Sequence, residues 1–244
     1  MKKLFFLFLI LIFLGIMAST FIYTTVLAQS KEVKPTSQKL SITDLEIKED
    51  HEALKVDMVF PLVQGIKDKQ VEEKINQTIQ KDVLNFKEML QTESEKYLQD
   101  AKEEGWEIRK YSATIYYIAH YQKDDLLSFS VFYYSYTLGA HGHTLQRAYN
   151  FNLLNGEEIL LSDILKEKKN YVDIINQEIR KQIELNPQEY FSDWSVFQSI
   201  SEEHPFYLIE DGIVVYFGLY EIAPYSSGIR YFKIPYSLFG HSQG

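Results

Sequence analysis

The strongest constraint on the fold is a long amphipathic helix pattern that runs from Asp68 to Ala101. Its apolar residues recur at helical spacing, at Val71, Ile75, Ile79, Val83, Phe86 and Leu90. This spacing places them on one face of a helix, and another apolar surface must cover that face. Asp68 suits the N-cap position, and Gly105 suits the end of the helix. The chain therefore needs a sheet or a second helix against which this face can pack.

The segments on both sides of this helix alternate in the manner of β-strands. Leu54 to Phe60 is apolar at every second residue, and Glu107 to Gln122 and Leu126 to Thr137 have the pattern of two longer strands. A second amphipathic helix pattern covers Tyr171 to Ile183, and further strand-like segments follow it. Strands, helix, strands, helix and strands in this order predict an α+β fold, with antiparallel sheets packed with two main amphipathic helices.

A stretch near the C-terminus, Tyr216 to Tyr236, is predicted to form a strand, a loop that contains Pro224, and a return strand. The glycine-rich stretch Leu138 to Thr144 belongs with it. We expect the chain to divide into two small subdomains, with the earlier strands in the first and both of these stretches in the second. The N-terminal α+β subdomain would cover residues 40–137, and the C-terminal one would cover residues 138–244.

The N-terminus has the pattern of an export signal. Two lysines precede an apolar run, and Val26-Leu27-Ala28 provides small residues at the end of that run. The run from Leu4 to Ala28 is also long enough to span a bilayer. Residues 1–28 are therefore predicted to be a signal peptide or an N-terminal membrane anchor, followed by a linker over residues 29–39. In either case we expect an exported chain at the cell surface, secreted or membrane-anchored, whose membrane contact is limited to the uncleaved run.

The composition excludes several kinds of site. The sequence contains no cysteine, which excludes disulfides, thiolate nucleophiles and cysteine metal ligands. The formal net charge is −9, and removal of Lys2 and Lys3 with the N-terminal segment leaves −11. Such a surface repels nucleic acid and attracts a basic partner.

Several short motifs resemble those of a known family. The first half contains Val59-Phe60-Pro61 and Lys74-Ile75-Asn76. The second half contains LGAHG at 138–142, Asn150 to Asn152, Asp211-Gly212, YEIAPY at 220–225, and Ile234-Pro235-Tyr236. As a set they resemble the extracytoplasmic domain family (DUF4163 and DUF3298 type) that is shared by the anti-sigma factor RsiV and the N-terminal region of the peptidoglycan deacetylase PdaC. The resemblance covers nearly all of residues 40–240.

The resemblance implies a binding or sensor module without enzymatic activity, since RsiV-type modules recognise lysozyme. We expect lysozyme, another basic extracellular protein or peptidoglycan as the ligand, and no cofactor. Proteins of the RsiV type carry a sigma-binding segment before the membrane span, and those of the PdaC type carry a catalytic domain after this region. We expect neither in this chain, because only Met1 to Lys3 precede the apolar run and the sequence stops at Gly244. The alternative hypothesis is an accessory domain of a cell-wall hydrolase or deacetylase that acts on peptidoglycan.

His141 and His143 flank Gly142, and a His-x-His pair can supply two metal ligands. The other interpretation is a tight connection in which the glycines shape the backbone and the imidazoles bond to the main chain. We favour the connection, because a metal site needs further ligands that the spacing does not indicate. The sequence therefore predicts no metal.

The remaining candidates lie among aromatic residues. A buried Glu221 could act as a general acid, or it could accept hydrogen bonds from loop amides or from Arg230, and we favour the structural role. Trp194, Tyr220 and Tyr225 are candidates for a recognition surface, because aromatic side chains are favoured at binding hot spots. The sequence indicates no catalytic residue, and taken singly each aromatic residue fits an ordinary core position better than a recognition surface.

Overall fold

The computed structural model describes residues 39–165, 167–168, 170–192 and 197–240. The predicted N-terminal segment 1–28, most of the predicted linker and Trp194 lie outside these ranges. The described residues belong to one compact unit, which begins at Lys39. No helix in the described part of the chain is both long and apolar enough to cross a membrane.

The predicted α+β class is confirmed. The first part of the chain contains β1 (Ser41–Asp50), β2 (Leu54–Gln64), α1 (Lys69–Glu104), β3 (Tyr111–Lys123), β4 (Leu126–Tyr136) and β5 (His143–Asn152). The second part contains α2 (Leu161–Leu165), α3 (Tyr171–Leu185), β6 (Phe206–Ile209), β7 (Gly212–Phe217) and β8 (Arg230–Pro235), with 3₁₀ turns at Pro187–Glu189, Tyr225–Ser227 and Tyr236–Phe239.

The first sheet has five strands in the order β1-β2-β3-β4-β5. Three of its pairs are antiparallel, but β2 and β3 are parallel, with Leu54 beside Tyr111. The expectation of antiparallel sheets was wrong for this pair. Parallel neighbours need a long crossover, and α1, about 54 Å long at 1.5 Å per residue, returns the chain to the start of β2.

Helix α1 begins and ends where the sequence indicates. The Asp68 carboxylate accepts a hydrogen bond from the Gln70 amide at 2.9 Å, and Gly105 ends the helix in the left-handed conformation, with φ of 70°. The buried residues of the helix pack on one face of the first sheet and form the larger core with Met58, Ile115, Phe129, Val131, Tyr149 and Phe151. Burial of this face stabilises both the helix and the sheet.

The second sheet has three antiparallel strands in the order β6-β7-β8. Alternate residues of these strands, together with α2 and α3, form a second core, which includes Leu161, Ile175, Ile179, Leu208, Val215, Phe217 and Phe232. Strand β5, which follows the predicted division at residues 137 and 138, completes the first sheet. The division itself stays a prediction.

Strand β6 lies at one edge of the second sheet and packs against β3, β4 and β5 of the first sheet. Strand β5 is likewise at an edge of the first sheet, so β5 and β6 each have one edge without a partner strand. On β6, the Leu208 amide donates to the Ser128 hydroxyl at 3.0 Å, and the Phe206 carbonyl accepts from the Asn150 amide at 2.8 Å. Ser128 in turn donates to the Asn150 side-chain oxygen at 2.7 Å. Because Ser128 and Asn150 lie on β4 and β5, side chains of the first sheet satisfy the edge of the second.

The free edge of β5 is in turn satisfied by side chains of the second sheet. The Ala148 amide donates to the Tyr216 hydroxyl at 2.9 Å, and this hydroxyl donates to the Gln146 carbonyl at 3.3 Å. Tyr231 on β8 also donates to the Gln146 side-chain oxygen at 2.7 Å. Each edge therefore uses polar side chains of the other sheet, and a buried backbone group without such a partner would be costly. We call this arrangement the reciprocal edge contact.

His120 lies in the same layer between the sheets. Its ring stacks on Tyr207 of β6 with 3.8 Å between centroids, and its Nε2 lies 2.9 Å from the Ser130 hydroxyl. Burial lowers the pKa of His120 to about 4, and it also lowers the pKa of His204.

These shifts predict a loss of stability in weak acid. The unfolded chain takes up the His120 proton near pH 6.5 and the folded chain only near pH 4, so the free energy of unfolding should fall between these values. His120→Phe keeps a ring against Tyr207 but cannot titrate, and it should flatten this decline in part, since His204 still titrates. Denaturant unfolding between pH 8 and pH 4 measures the free energy of unfolding of both proteins. At pH 8 both histidines are neutral in the folded and unfolded chains, so a difference there reports only the change in packing. Equal slopes in both proteins would contradict the prediction.

Candidate functional site

Two loops from different sheets meet beside the reciprocal edge contact. The first loop, residues 137–142, joins β4 to β5, and the second loop, residues 218–229, joins β7 to β8. The Tyr225 hydroxyl of the second loop donates to the Gly142 carbonyl at 2.8 Å. The Tyr225 ring stacks on His141, with 3.9 Å between the centroids and 24° between the planes. The two stretches that the sequence associates are therefore in direct contact.

Tyr220 completes this group, which we call the aromatic cluster (His141, Tyr220 and Tyr225). Its ring centroid lies 5.6 Å from that of Tyr225. The His141 Nδ1 lies 2.9 Å from the Gly142 carbonyl, which can only accept, so Nδ1 carries the proton. Nε2 then accepts from the Tyr220 hydroxyl at 3.3 Å. Tyr220 is 53% exposed, so the cluster presents an aromatic ring and a hydroxyl to solvent.

Gly142 allows the loops to approach this closely. A Cβ atom at this position would lie 2.3 Å from the ring of Tyr134, which is far inside contact distance. A residue with a Cβ atom would displace the Tyr134 ring from beside the carbonyl that accepts from His141 and Tyr225. This close packing explains the second glycine of the LGAHG motif.

Backbone strain is concentrated in the same two loops. Tyr220 has a φ of 66° and Leu138 has a φ of 67°, in the left-handed region that residues with a Cβ rarely occupy. In the described chain, Asp124, in the turn between β3 and β4, is the one further residue besides glycine with positive φ. Strain of this kind persists where the surroundings hold it in place, and it clusters at functional sites. The strain therefore supports this region as the candidate site.

The structure places the other candidates differently. His143 begins β5, pairs with Ser135 and is exposed. Glu221 is also exposed, and its carboxylate lies against Gly218 rather than in a buried pocket. Arg230 bonds to Glu189 and to the Tyr190 hydroxyl, so the alternative in which Glu221 accepts from Arg230 was wrong. Trp194 lies outside the described residues.

No three histidine, aspartate or glutamate side chains come together as metal ligands within the described ranges. Both ring nitrogens of His141 are already engaged, by Gly142 and Tyr220. The prediction of no metal stays a prediction.

Tyr116 and Tyr231, which line one cleft with Tyr225 of the aromatic cluster, were not predicted from the sequence. Both are partly exposed, at 47% and 43%. A signal for Tyr116 exists, because Ala113, Ile115 and Tyr117 share the core face of β3 and alternation sends Tyr116 to the opposite face. A large aromatic residue on the face away from the core indicates a second contact surface.

Comparisons with known proteins agree with this architecture. Residues 47–144 match the family described as Deacetylase PdaC, and residues 162–237 match the family described as Protein of unknown function (DUF3298). The two matches cover separate and consecutive parts of the chain. The resemblance predicted from the motifs is thereby confirmed.

A curated relative and two solved structures are similar over most of the chain. The anti-sigma-V factor RsiV of Bacillus subtilis is 28% identical over 85% of this chain and 73% of its own length. A DUF3298 family member from Bacteroides fragilis has a TM-score of 0.65 at 21% identity, over 85% of this chain and 94% of that chain. A DUF3298 family protein from Pseudomonas aeruginosa has a TM-score of 0.58 at 17% identity, over 83% and 93%. These two structures support the fold.

The strain at Tyr220 leads to a stability prediction. Tyr220→Gly should be at least as stable as the wild type, since the left-handed conformation costs about 1–2 kcal/mol for a residue with a Cβ. Tyr225→Gly is the matched control, because Tyr225 lacks a positive φ and its ring packs on His141. This control should lose about 1 kcal/mol or more. Thermal melts compare them, and equal destabilisation by both changes would contradict strain at Tyr220.

Proposed function

We propose that the chain is an extracytoplasmic binding or sensor module, without enzymatic activity, that recognises a protein through the aromatic cluster. One observation carries the proposal: two loops from separate sheets converge on His141, Tyr220 and Tyr225, among which Tyr220 is exposed and has a positive φ. Loops held by rigid sheets keep their side chains in a fixed geometry, which lowers the entropy lost on binding.

The chemistry of the cluster suits a protein interface. Tyrosine is enriched at hot spots because its ring buries a large apolar area and its hydroxyl can still bond at the edge. Tyr220 offers both, and the exposed Glu221 beside it adds a negative charge. Trp194, which precedes the second sheet in sequence, remains a further candidate anchor.

The formal charge favours a basic partner. The chain carries −9, or −11 without the N-terminal segment, so a cationic protein would be steered towards it. We propose lysozyme as the first candidate, because it is basic and because RsiV-type modules recognise it. Charge provides encounter, and the aromatic anchors provide specificity, since exposed ion pairs contribute only about 0–1 kcal/mol each.

The N-terminal run and the similarity to RsiV also support export. We propose that residues 29–244 lie outside the cytoplasm and that Leu4 to Ala28 is either removed or retained as an anchor. Fractionation followed by N-terminal sequencing separates the two forms. An intact chain that is soluble in the cytoplasm would contradict export.

The binding prediction is specific for the cluster. Hen lysozyme titrated into the full chain at about 0.15 M salt, where the Debye length is about 8 Å, should bind in a saturable manner. Tyr220→Ala and Tyr225→Ala should each weaken binding by roughly 2 kcal/mol, or about thirtyfold. Tyr236→Ala, a partly exposed tyrosine at the other end of β8, is the matched control and should bind as the wild type does.

Three results would count against the proposed site. Binding could disappear at this salt concentration, it could be unchanged in both folded variants, or it could weaken equally in the control. Incubation of the chain with peptidoglycan tests the alternative hypothesis, because a hydrolase would release reducing sugar and a deacetylase would release acetate. Release above the level of a heat-denatured control would favour an enzyme over a binding module.

A further inference from the structure

A cleft of about 410 Å³ lies next to the aromatic cluster, where the outer face of the first sheet meets the second loop and β8. Its walls include Tyr116, Phe132, Thr144, Tyr225, Ser226 and Tyr231. This volume is within the range of small-ligand sites, about 300–1,000 Å³. Tyr220 is not part of its lining, so the cleft and the protein-binding surface are separate at that residue.

The cleft has a flat aromatic floor. Tyr116 and Phe132 stack with 4.6 Å between their centroids and 8° between their planes. Phe132 is buried and supports one face of the Tyr116 ring, and about half of the Tyr116 side chain stays exposed, at 47%. Tyr231, also partly exposed, stands on the neighbouring β8. A rigid, partly exposed ring of this kind packs against a flat apolar surface of a ligand.

The lining carries no charge, although charged residues make up 24% of the chain. A charged ligand buried in it would lose hydration without a compensating partner, which is unfavourable. The hydroxyls of Thr144 and Ser226 can each donate and accept hydrogen bonds. The Tyr225 and Tyr231 hydroxyls already donate, to Gly142 and Gln146, and can still accept. The cleft thus complements a ligand that is neutral, rich in hydroxyls and flat on one side.

We propose that this cleft binds an uncharged oligosaccharide. One pyranose ring lies with its C–H face on Tyr116, and its hydroxyls bond to Thr144 and Ser226. The site goes beyond the proposed protein recognition, because its central residue, Tyr116, is on β3 and outside the aromatic cluster. The two proposals can fail independently. Tyr116→Ala tests saccharide binding in the cleft, and Tyr220→Ala tests protein binding at the aromatic cluster.

The test uses the full chain in a detergent without a sugar headgroup, because a glycosidic detergent would compete. Tetra-N-acetylchitotetraose, cellotetraose and an anionic tetragalacturonate are titrated separately and followed by saturation-transfer NMR and calorimetry. At least one neutral tetrasaccharide should bind with a dissociation constant of about 1 mM or tighter, and the anionic one should bind at least tenfold more weakly.

Variants assign the binding to the cleft. Tyr116→Ala should weaken it by about tenfold or more, and Tyr116→Phe, which keeps the ring face, should retain it. Ile118→Ala is the matched control, because Ile118 is as exposed as Tyr116 on the same face of β3 but is not in the lining. The proposal is overturned by no saturation of either neutral tetrasaccharide at about 10 mM, by tighter binding of the anionic one, or by equal losses in Tyr116→Ala and Ile118→Ala.

Discussion

The arrangement of the two sheets depends on how their free edges find hydrogen-bond partners. Ser128 and Asn150 satisfy the edge of β6, and Tyr216 satisfies the edge of β5. These side chains are buried, so a missing partner would leave an unsatisfied group at a cost of about 1–3 kcal/mol. Apolar packing alone would let the sheets slide, whereas directed hydrogen bonds fix their register. The contact therefore determines which loops become neighbours.

The candidate site is a consequence of that register. The first loop belongs to one sheet and the second loop to the other, so the stacking of His141 on Tyr225 exists only while the sheets are docked. The cleft beside the cluster has the same origin, since Tyr116 and Phe132 come from the first sheet and Tyr231 comes from the second. The two proposed binding surfaces thus share one structural requirement.

Much of the fold could be predicted from periodicity, since α1 lies where its apolar spacing and its Asp68 cap indicate. The parallel pairing of β2 with β3 could not, because alternation reports which face is buried and not which strand is adjacent. At the candidate site, the family motifs LGAHG and YEIAPY indicated that the first loop and the second loop belong together, and the two loops are in contact. The partner of Arg230 was missed because Glu189 is 41 residues away in sequence and no local pattern connects them.

The most direct test of the account combines Ser128→Ala and Asn150→Ala, which removes the side chains that satisfy β6. NMR reports two signals: exchange protection of the Leu208 amide, and the ring-current shift of the His141 protons above Tyr225. The account predicts that both signals are lost together while the amides of α1 stay protected. If the Leu208 amide loses protection and the His141 protons keep their wild-type shifts, the reciprocal edge contact does not hold the site together.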